Sequence, residues 1–277
     1  MKFYSDKMNL NIKDAVGYLT FKELEKYPFI NHAFSTRLGG VSKGPYKSMN
    51  LRFNCDDERG NVLENYKIFC NAAGFDYNSL VLTDQTHTCN IRKVTKQDMG
   101  IGLIKPQNKF DVDGLITNEV GVTLVTFHAD CVPIFIIDKV KRVIALLHAG
   151  WKGTVNGIAS NAINIMKSEY GCNAEDIVCG IGPSISKCCY EVSEDVFNKF
   201  TNIPNINVED IYYVGENGKH FLDLNNTNKL ILKSEGVKEE NIFISDLCTR
   251  CNHDLLISHR KTGAIRGVMA AMMCIRD

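Results

Sequence analysis

Between Val122 and Trp151 the chain reads VTLVTFHADCVPIFIIDKVKRVIALLHAGW, strongly apolar runs with only short polar interruptions. Runs made mostly of Val, Ile and Leu bury themselves as strands, so a residue placed at a break is held at the rim of a rigid core. Cys131 and His148 stand at two such breaks, and rigid placement is what a metal ion or a catalytic group requires. We read the stretch as a hairpin-like strand unit around which the rest of the chain is organised.

The flanking sequence alternates short apolar runs with helical periodicities. Strands are expected within 15–34 and at 80–82, 91–94, 142–147, 177–182, 242–244, 255–258 and 266–274. Val62, Leu63, Tyr66, Phe69, Cys70 and Ala73 mark one face of a helix ending at Gly74. A second helix is predicted over 154–169, capped by Thr154, with others over 194–200 and 223–236. No repeat, low-complexity tract or linker divides the chain, so 1–277 is expected to form a single domain. The class is α/β with mixed strand directions: a layered sandwich with a mixed β-sheet core and outer helices.

With 32 basic and 32 acidic residues the formal net charge is zero, so no global field recruits nucleic acid or an anionic membrane. The opening MKFYSDKMNLNIKDAVGYLT contains no continuous apolar segment, and we expect neither an export signal nor a membrane span. Eleven cysteines, an odd number scattered along such a chain, are expected to be thiols in a reducing cytoplasm. Cys248 and Cys251 form a CxxC, but a zinc ribbon needs two such pairs and the sequence shows one; the other close grouping is Cys188-Cys189.

Several familiar sites lack their anchor residues: there is no GxxxxGK[ST], GxSxG or HExxH, and GIGPS is too short for a dinucleotide fingerprint. Asp111-Val112-Asp113-Gly114 begins like a calcium loop but the remaining ligand positions are missing. What remains is His87, Cys131 and His148, each in a turn at a strand end. Two imidazoles and a thiolate suit zinc and leave a fourth position for water. The same residues permit a different chemistry, in which Cys131 is a nucleophile with His148 or His128 as its base. Spacing alone leaves both open.

The segments STRLGGVS, DQTHTCNIRKV, DVDGLITNEVGVTLVTFHADCVPIFIID, RVIALLHAGWKGTVNGI, CGIGPSISKCCYEV and DLCTRCNHDLLISHRKTG closely resemble, over nearly the whole chain, the multicopper polyphenol oxidoreductase or laccase-domain family, also known as peptidoglycan editing factors. The resemblance implies that His87, Cys131 and His148 bind one zinc ion. It further implies purine nucleoside phosphorylase activity on adenosine, inosine or methylthioadenosine, together with adenosine deaminase activity, so that the partners are small molecules, a purine nucleoside and phosphate. Phosphorolysis needs an anion site, for which Arg37 in the STRLGG loop, Lys152 and Arg260 are the candidates. Deamination needs a proton carrier, for which Asp113 and Asp130 are candidates.

The chain departs from the usual family pattern at two places. It has HADC where Thr-Ala-Asp-Cys is common, which makes His128 an additional imidazole beside the metal and a third candidate for proton transfer, and HRK at 259–261 where Tyr-Arg-Arg is common. Copper oxidation fits the residues least, since none of the seven histidines lies in an HxH, although a His/His/Cys site takes up copper in vitro as well as zinc. The competing functions are a peptidoglycan-precursor editing hydrolase with Cys131 as nucleophile and a zinc-stabilised binding protein.

Overall fold

The three apolar runs of the 122–151 stretch become the strands Thr123–His128, Val132–Asp138 and Val143–Ala149, and they do not all lie in one sheet. In the computed structural model, which describes residues 3–108, 110–216 and 218–277, the second and third strands pair antiparallel. The first pairs instead with Met269–Ile275 and Leu80–Leu82, in a different sheet. The expected hairpin unit is therefore a hairpin plus a crossover. Residues 129–131 carry the chain from one sheet to the other, and Asp130 makes the bend with a left-handed φ of 86°.

One six-stranded sheet runs, edge to edge, Met8–Lys13, Val16–Phe21, Ile30–Ser35, Met269–Ile275, Thr123–His128 and Leu80–Leu82. The other runs Ile242–Ile244, Ile177–Ile181, Val132–Asp138, Val143–Ala149, Gly114–Thr117 and Ile91–Lys93. Most pairs are antiparallel; the outermost pairs at Leu80–Leu82, Ile91–Lys93 and Ile242–Ile244 are parallel. A third, three-stranded sheet joins Glu191–Val192, His220–Leu222 and Tyr212–Val214.

Side-chain alternation shows how the layers stack. Phe135, Ile137, Ile144 and Leu146 of one large sheet share a buried core with Phe21, Leu124, Met269 and Met273 of the other. Their strand neighbours Ile134, Ile136, Ala145 and Leu147 face the opposite way, under the helices Ile158–Tyr170 and Leu224–Ser234. On the far side, Val125, Ala270 and Met272 pack under the helix Arg59–Ala73 through Val62, Tyr66 and Phe69. Central strands are thus covered on both faces, which explains why the runs read as continuously apolar although the pairing is mostly antiparallel. Among the described residues no helix is long and apolar enough to cross a membrane.

Four local expectations differ from the structure. The helix predicted over 154–169 is two helices, Trp151–Val155 and Ile158–Tyr170, separated where Gly157 takes a φ of 76°. Thr154 is consequently no cap; it is buried inside the first helix, where its hydroxyl accepts a hydrogen bond from Asn228 Nδ2. Leu255–Ile257 is buried without being a strand, because the backbone N–H groups of Leu255 and Leu256 turn back onto the Asn252 carbonyl. The strand Met8–Lys13 went unread: its apolar positions at Met8, Leu10 and Ile12 have the two-residue period of a strand edge, masked by the Asn and Lys residues between them.

His32 lies between the large sheets, stacked on Phe21 and edge-on to Phe135, with Nε2 accepting from the Phe21 N–H at 2.8 Å. Burial lowers its pKa from 6.5 to about 3. The unfolded chain therefore binds a proton over that interval that the folded chain refuses, so stability falls as pH drops below about 6.5. At pH 5 this costs on the order of 2 kcal/mol. Urea unfolding at pH 7.5 and pH 5 checks it: His32→Gln, which keeps an acceptor for Phe21, is expected to lose less stability on acidification than the wild type, and an equal loss in both would contradict the assignment.

Candidate active site

The three sequence-nominated donors come together at the crossover between the large sheets. Cys131 ends the crossover, His148 sits in the strand that pairs with Val132–Asp138, and His87 reaches them from the loop after Leu80–Leu82. Their ligand atoms all lie within 4.8 Å of one another. Cys131 Sγ is 3.9 Å from His87 Nε2, and the two histidine rings meet edge to face at 4.9 Å. His148 is buried, Cys131 half-buried and His87 exposed.

One carboxylate sets the cluster up. Asp113 is fully buried and accepts hydrogen bonds from the backbone N–H groups of Thr86, His87 and Thr88, from the Thr88 hydroxyl, and at 2.7 Å from His148 Nδ1. Its own carbonyl accepts from the His148 N–H. Binding Nδ1 of His148 fixes that ring and presents Nε2 to the cluster, the arrangement found behind metal-bound imidazoles. The same carboxylate pins the turn that places His87 in a left-handed conformation with φ of 65°. Burial opposes the charge on Asp113, but the hydrogen bond and charge of His148 together with the Thr88 donors outweigh it and hold its pKa below the ordinary value.

Space is reserved for the cluster. A Cβ on Gly150 would stand 2.9 Å from His87 Cδ2 and 3.1 Å from Cys131 Sγ, so any larger residue there would push both donors aside. Burial alone would raise the Cys131 thiol, but the charges and hydrogen bonds of His148 and His87 reverse this and bring it to about 6. Burial likewise opposes protonation of His148, while Cys131 and Asp113 favour it and raise it to about 9. A thiolate between two oriented imidazoles is the donor set of a transition-metal site with three protein ligands.

The remaining sequence candidates are placed differently from one another. His128 is buried behind the cluster with both ring nitrogens engaged, Nε2 with the Thr126 hydroxyl at 2.8 Å and Nδ1 with the Cys131 carbonyl at 3.2 Å. Burial drives its pKa well below the ordinary imidazole value. Asp130 lines a cleft of about 320 Å³ together with Cys131, Trp151, Tyr190, His259 and Arg260. Its carboxylate accepts from the Thr249 hydroxyl at 2.5 Å and the Arg260 N–H at 2.6 Å. Arg260 lies over Tyr190 and binds the Glu191 carbonyl through Nη1 at 2.9 Å. Lys152 is exposed, with Nζ 5.6 Å from the centre of the Trp151 ring. Arg37 does not line that cleft. Its guanidinium donates to the carbonyls of His253 and Lys47, in a separate pocket with Leu38, Ser48 and Asp254. Sequence reasoning missed Tyr190 and Trp151 as cleft walls and Gly150 as the residue that leaves room for the donors.

Residues 31–276 match the family model described as multi-copper polyphenol oxidoreductase laccase. The chain belongs to that family. Within it, the chain is 35% identical to the purine nucleoside phosphorylase YlmD of Bacillus subtilis over 245 residues, 88% of each chain. It is 32% identical to the adenosine deaminase RL5 of an unknown prokaryotic organism, over 88% of this chain and 96% of that relative. The crystal structure of YlmD from Geobacillus stearothermophilus superposes with a TM-score of 0.91 at 32% identity, covering 98% of this chain and all of that one. The laccase-family fold is thus shared over the full layered architecture.

Asp113→Asn keeps the volume but removes the charge that orients His148, and is expected to weaken metal retention by about 10- to 100-fold. Competition with a chelator of known affinity measures this. Unchanged retention in a folded variant would show that Asp113 does not support the donors.

Proposed function

We propose that this laccase-family chain is a zinc-dependent enzyme of purine nucleosides, acting as a single unit that splits adenosine, inosine or methylthioadenosine with phosphate and deaminates adenosine. The observation that carries the reading is the convergence of His87, Cys131 and His148, whose Cys131 also lines a cleft walled by Trp151 and Tyr190 with Arg260 beside it. The names of its relatives support the same substrate class.

His87, Cys131 and His148 would hold the zinc ion, which when bound would supply Lewis acidity to the reaction. The chain's own residues do the rest. Trp151 and Tyr190 offer aromatic surface for the flat purine. In phosphorolysis a phosphate oxygen forms a bond to C1′ of the ribose as the bond from C1′ to the purine nitrogen breaks, and the base leaves with a proton. The dianion needs cationic donors next to the sugar. Arg260 fits, because Nε and Nη2 have no protein partner among the described residues while Nη1 is tied to carbonyls that fix the side chain. Lys152 adds a second charge at the Trp151 wall. Arg37, committed to two carbonyls in another pocket, is left out of the anion site.

Deamination adds water at C6 of adenine and expels ammonia, which requires a group that moves a proton. Of the three sequence candidates, Asp113 is saturated by five donors and His128 has both nitrogens engaged, so we assign them positioning roles. Asp130 also has both oxygens engaged, by the Thr249 hydroxyl and the Arg260 N–H, but it alone of the three lines the cleft beside Cys131, and on that placement we assign it the proton transfer.

Incubation with adenosine, resolved by chromatography, tests the function. Adenine and ribose 1-phosphate are expected only when phosphate is added, and inosine with or without it. Both products should vanish on chelation and return with zinc. Turnover of no nucleoside, or turnover indifferent to chelation, would overturn the reading. Asp130→Asn, tolerated by the left-handed backbone there, is expected to lower inosine formation by about 100-fold or more with metal content unchanged. Full deaminase activity in that variant would remove Asp130 from the role.

A further inference from the structure

Away from the three donors, the fold assembles a second cluster that the sequence alone did not reveal. The adjacent pair Cys188-Cys189 and the CxxC pair Cys248 and Cys251 meet, with all four sulfurs within 4.8 Å of one another. Cys188 Sγ is 3.6 Å from Cys189 Sγ and 3.8 Å from Cys251 Sγ, and Cys189 Sγ is 3.4 Å from Cys251 Sγ. Four sulfurs placed tetrahedrally around one zinc ion, at Zn–S bonds of about 2.3 Å, stand roughly 3.8 Å apart. We propose that these four cysteines hold a second zinc ion as a closed, structural, four-thiolate site.

The surroundings fit a charged sulfur cluster better than a chance gathering of small apolar residues. Cysteine is ordinarily among the most buried residue types, yet Cys188 and Cys251 are exposed. Arg250 points Nη1 at Cys189 Sγ at 3.4 Å, and the Ser186 N–H points at Cys248 Sγ at 3.5 Å. A cation and an amide donor aimed at the sulfurs offset the excess negative charge of four thiolates around a divalent ion. Four protein ligands leave no open position, so such a site stabilises the fold and does not take part in the chemistry.

Its place in the fold gives the clamp a purpose. The two cysteine-bearing segments are already joined by a bridge between Ser184 and Cys248 and by the Thr249 N–H to the Ser184 carbonyl. From there the connections run to the cleft: Ile185 N–H to the Asp130 carbonyl, the Thr249 hydroxyl to the Asp130 carboxylate, and Arg260 Nη1 to the Cys189 carbonyl. A metal at the four thiols would lock the wall that carries Tyr190 and Glu191 against Asp130, and so against Cys131. The inference concerns metal content and holds whatever reaction the cleft performs.

Zinc analysis of the full chain, purified under reducing conditions, tests it. The wild type is expected to carry about two zinc ions per chain, and both His87→Ala/Cys131→Ser and the exposed pair Cys188→Ser/Cys251→Ser about one. Cobalt titration needs no variant: cobalt-loaded wild type should show the intense sulfur-to-metal absorption of a four-thiolate set. That absorption should persist in His87→Ala/Cys131→Ser and be lost in Cys188→Ser/Cys251→Ser. The proposal is overturned if the reduced wild type takes up a single metal and shows only one-thiolate absorption, or if Cys188→Ser/Cys251→Ser leaves the metal count unchanged. A Cys189 to Cys251 disulfide found in the freshly purified reduced protein would also overturn it.

Discussion

The site depends on a single buried carboxylate. Asp113 gathers three backbone N–H groups, a hydroxyl and the His148 ring, and through them fixes two of three donors that come from distant parts of the chain. A buried charge is costly unless every lone pair is used. Here the donors satisfy the carboxylate and the carboxylate orients the donors, so folding the 86–88 turn and aiming His148 are one event. The opposite choice is visible at His128, where the Thr126 hydroxyl and the Cys131 carbonyl engage both nitrogens and burial disfavours the charged ring.

Location follows from topology. Two large sheets share a core, and the short crossover of residues 129–131 joins the strand Thr123–His128 of one to Val132–Asp138 of the other. A residue on that crossover is anchored by strands in both sheets, which keeps Cys131 in register with His148 on the paired strand and with Asp130 in the cleft. Gly150 is the complementary constraint, since its missing side chain is the space into which His87 and Cys131 project.

Much of this was legible in the sequence and some was not, for physical reasons. A break in the apolar runs located Cys131, whereas His148, expected in a turn, is the penultimate residue of the strand Val143–Ala149, opposite Pro133. The helix Arg59–Ala73 followed from apolar spacing and a terminal glycine. Long-range partnerships were hidden. Nothing local tells that Asp113 serves His148, or that Cys188-Cys189 meets the distant Cys248 and Cys251. Nor does the sequence tell that Arg37 lies outside the cleft that Arg260 lines, with its guanidinium donating to the carbonyls of His253 and Lys47. The buried run at 255–257 read as a strand because burial and strand pairing leave the same short apolar signature.

The central claim is that His87, Cys131 and His148 converge on one metal ion at the sheet crossover. Anomalous diffraction at the zinc absorption edge, on crystals of the full chain grown without chelator, tests it directly. The account predicts a peak about 2.0 to 2.3 Å from His87 Nε2, His148 Nε2 and Cys131 Sγ, with Asp113 still bound to His148 Nδ1. A difference map with no anomalous peak between those three atoms, in protein that turns over a nucleoside, would contradict it.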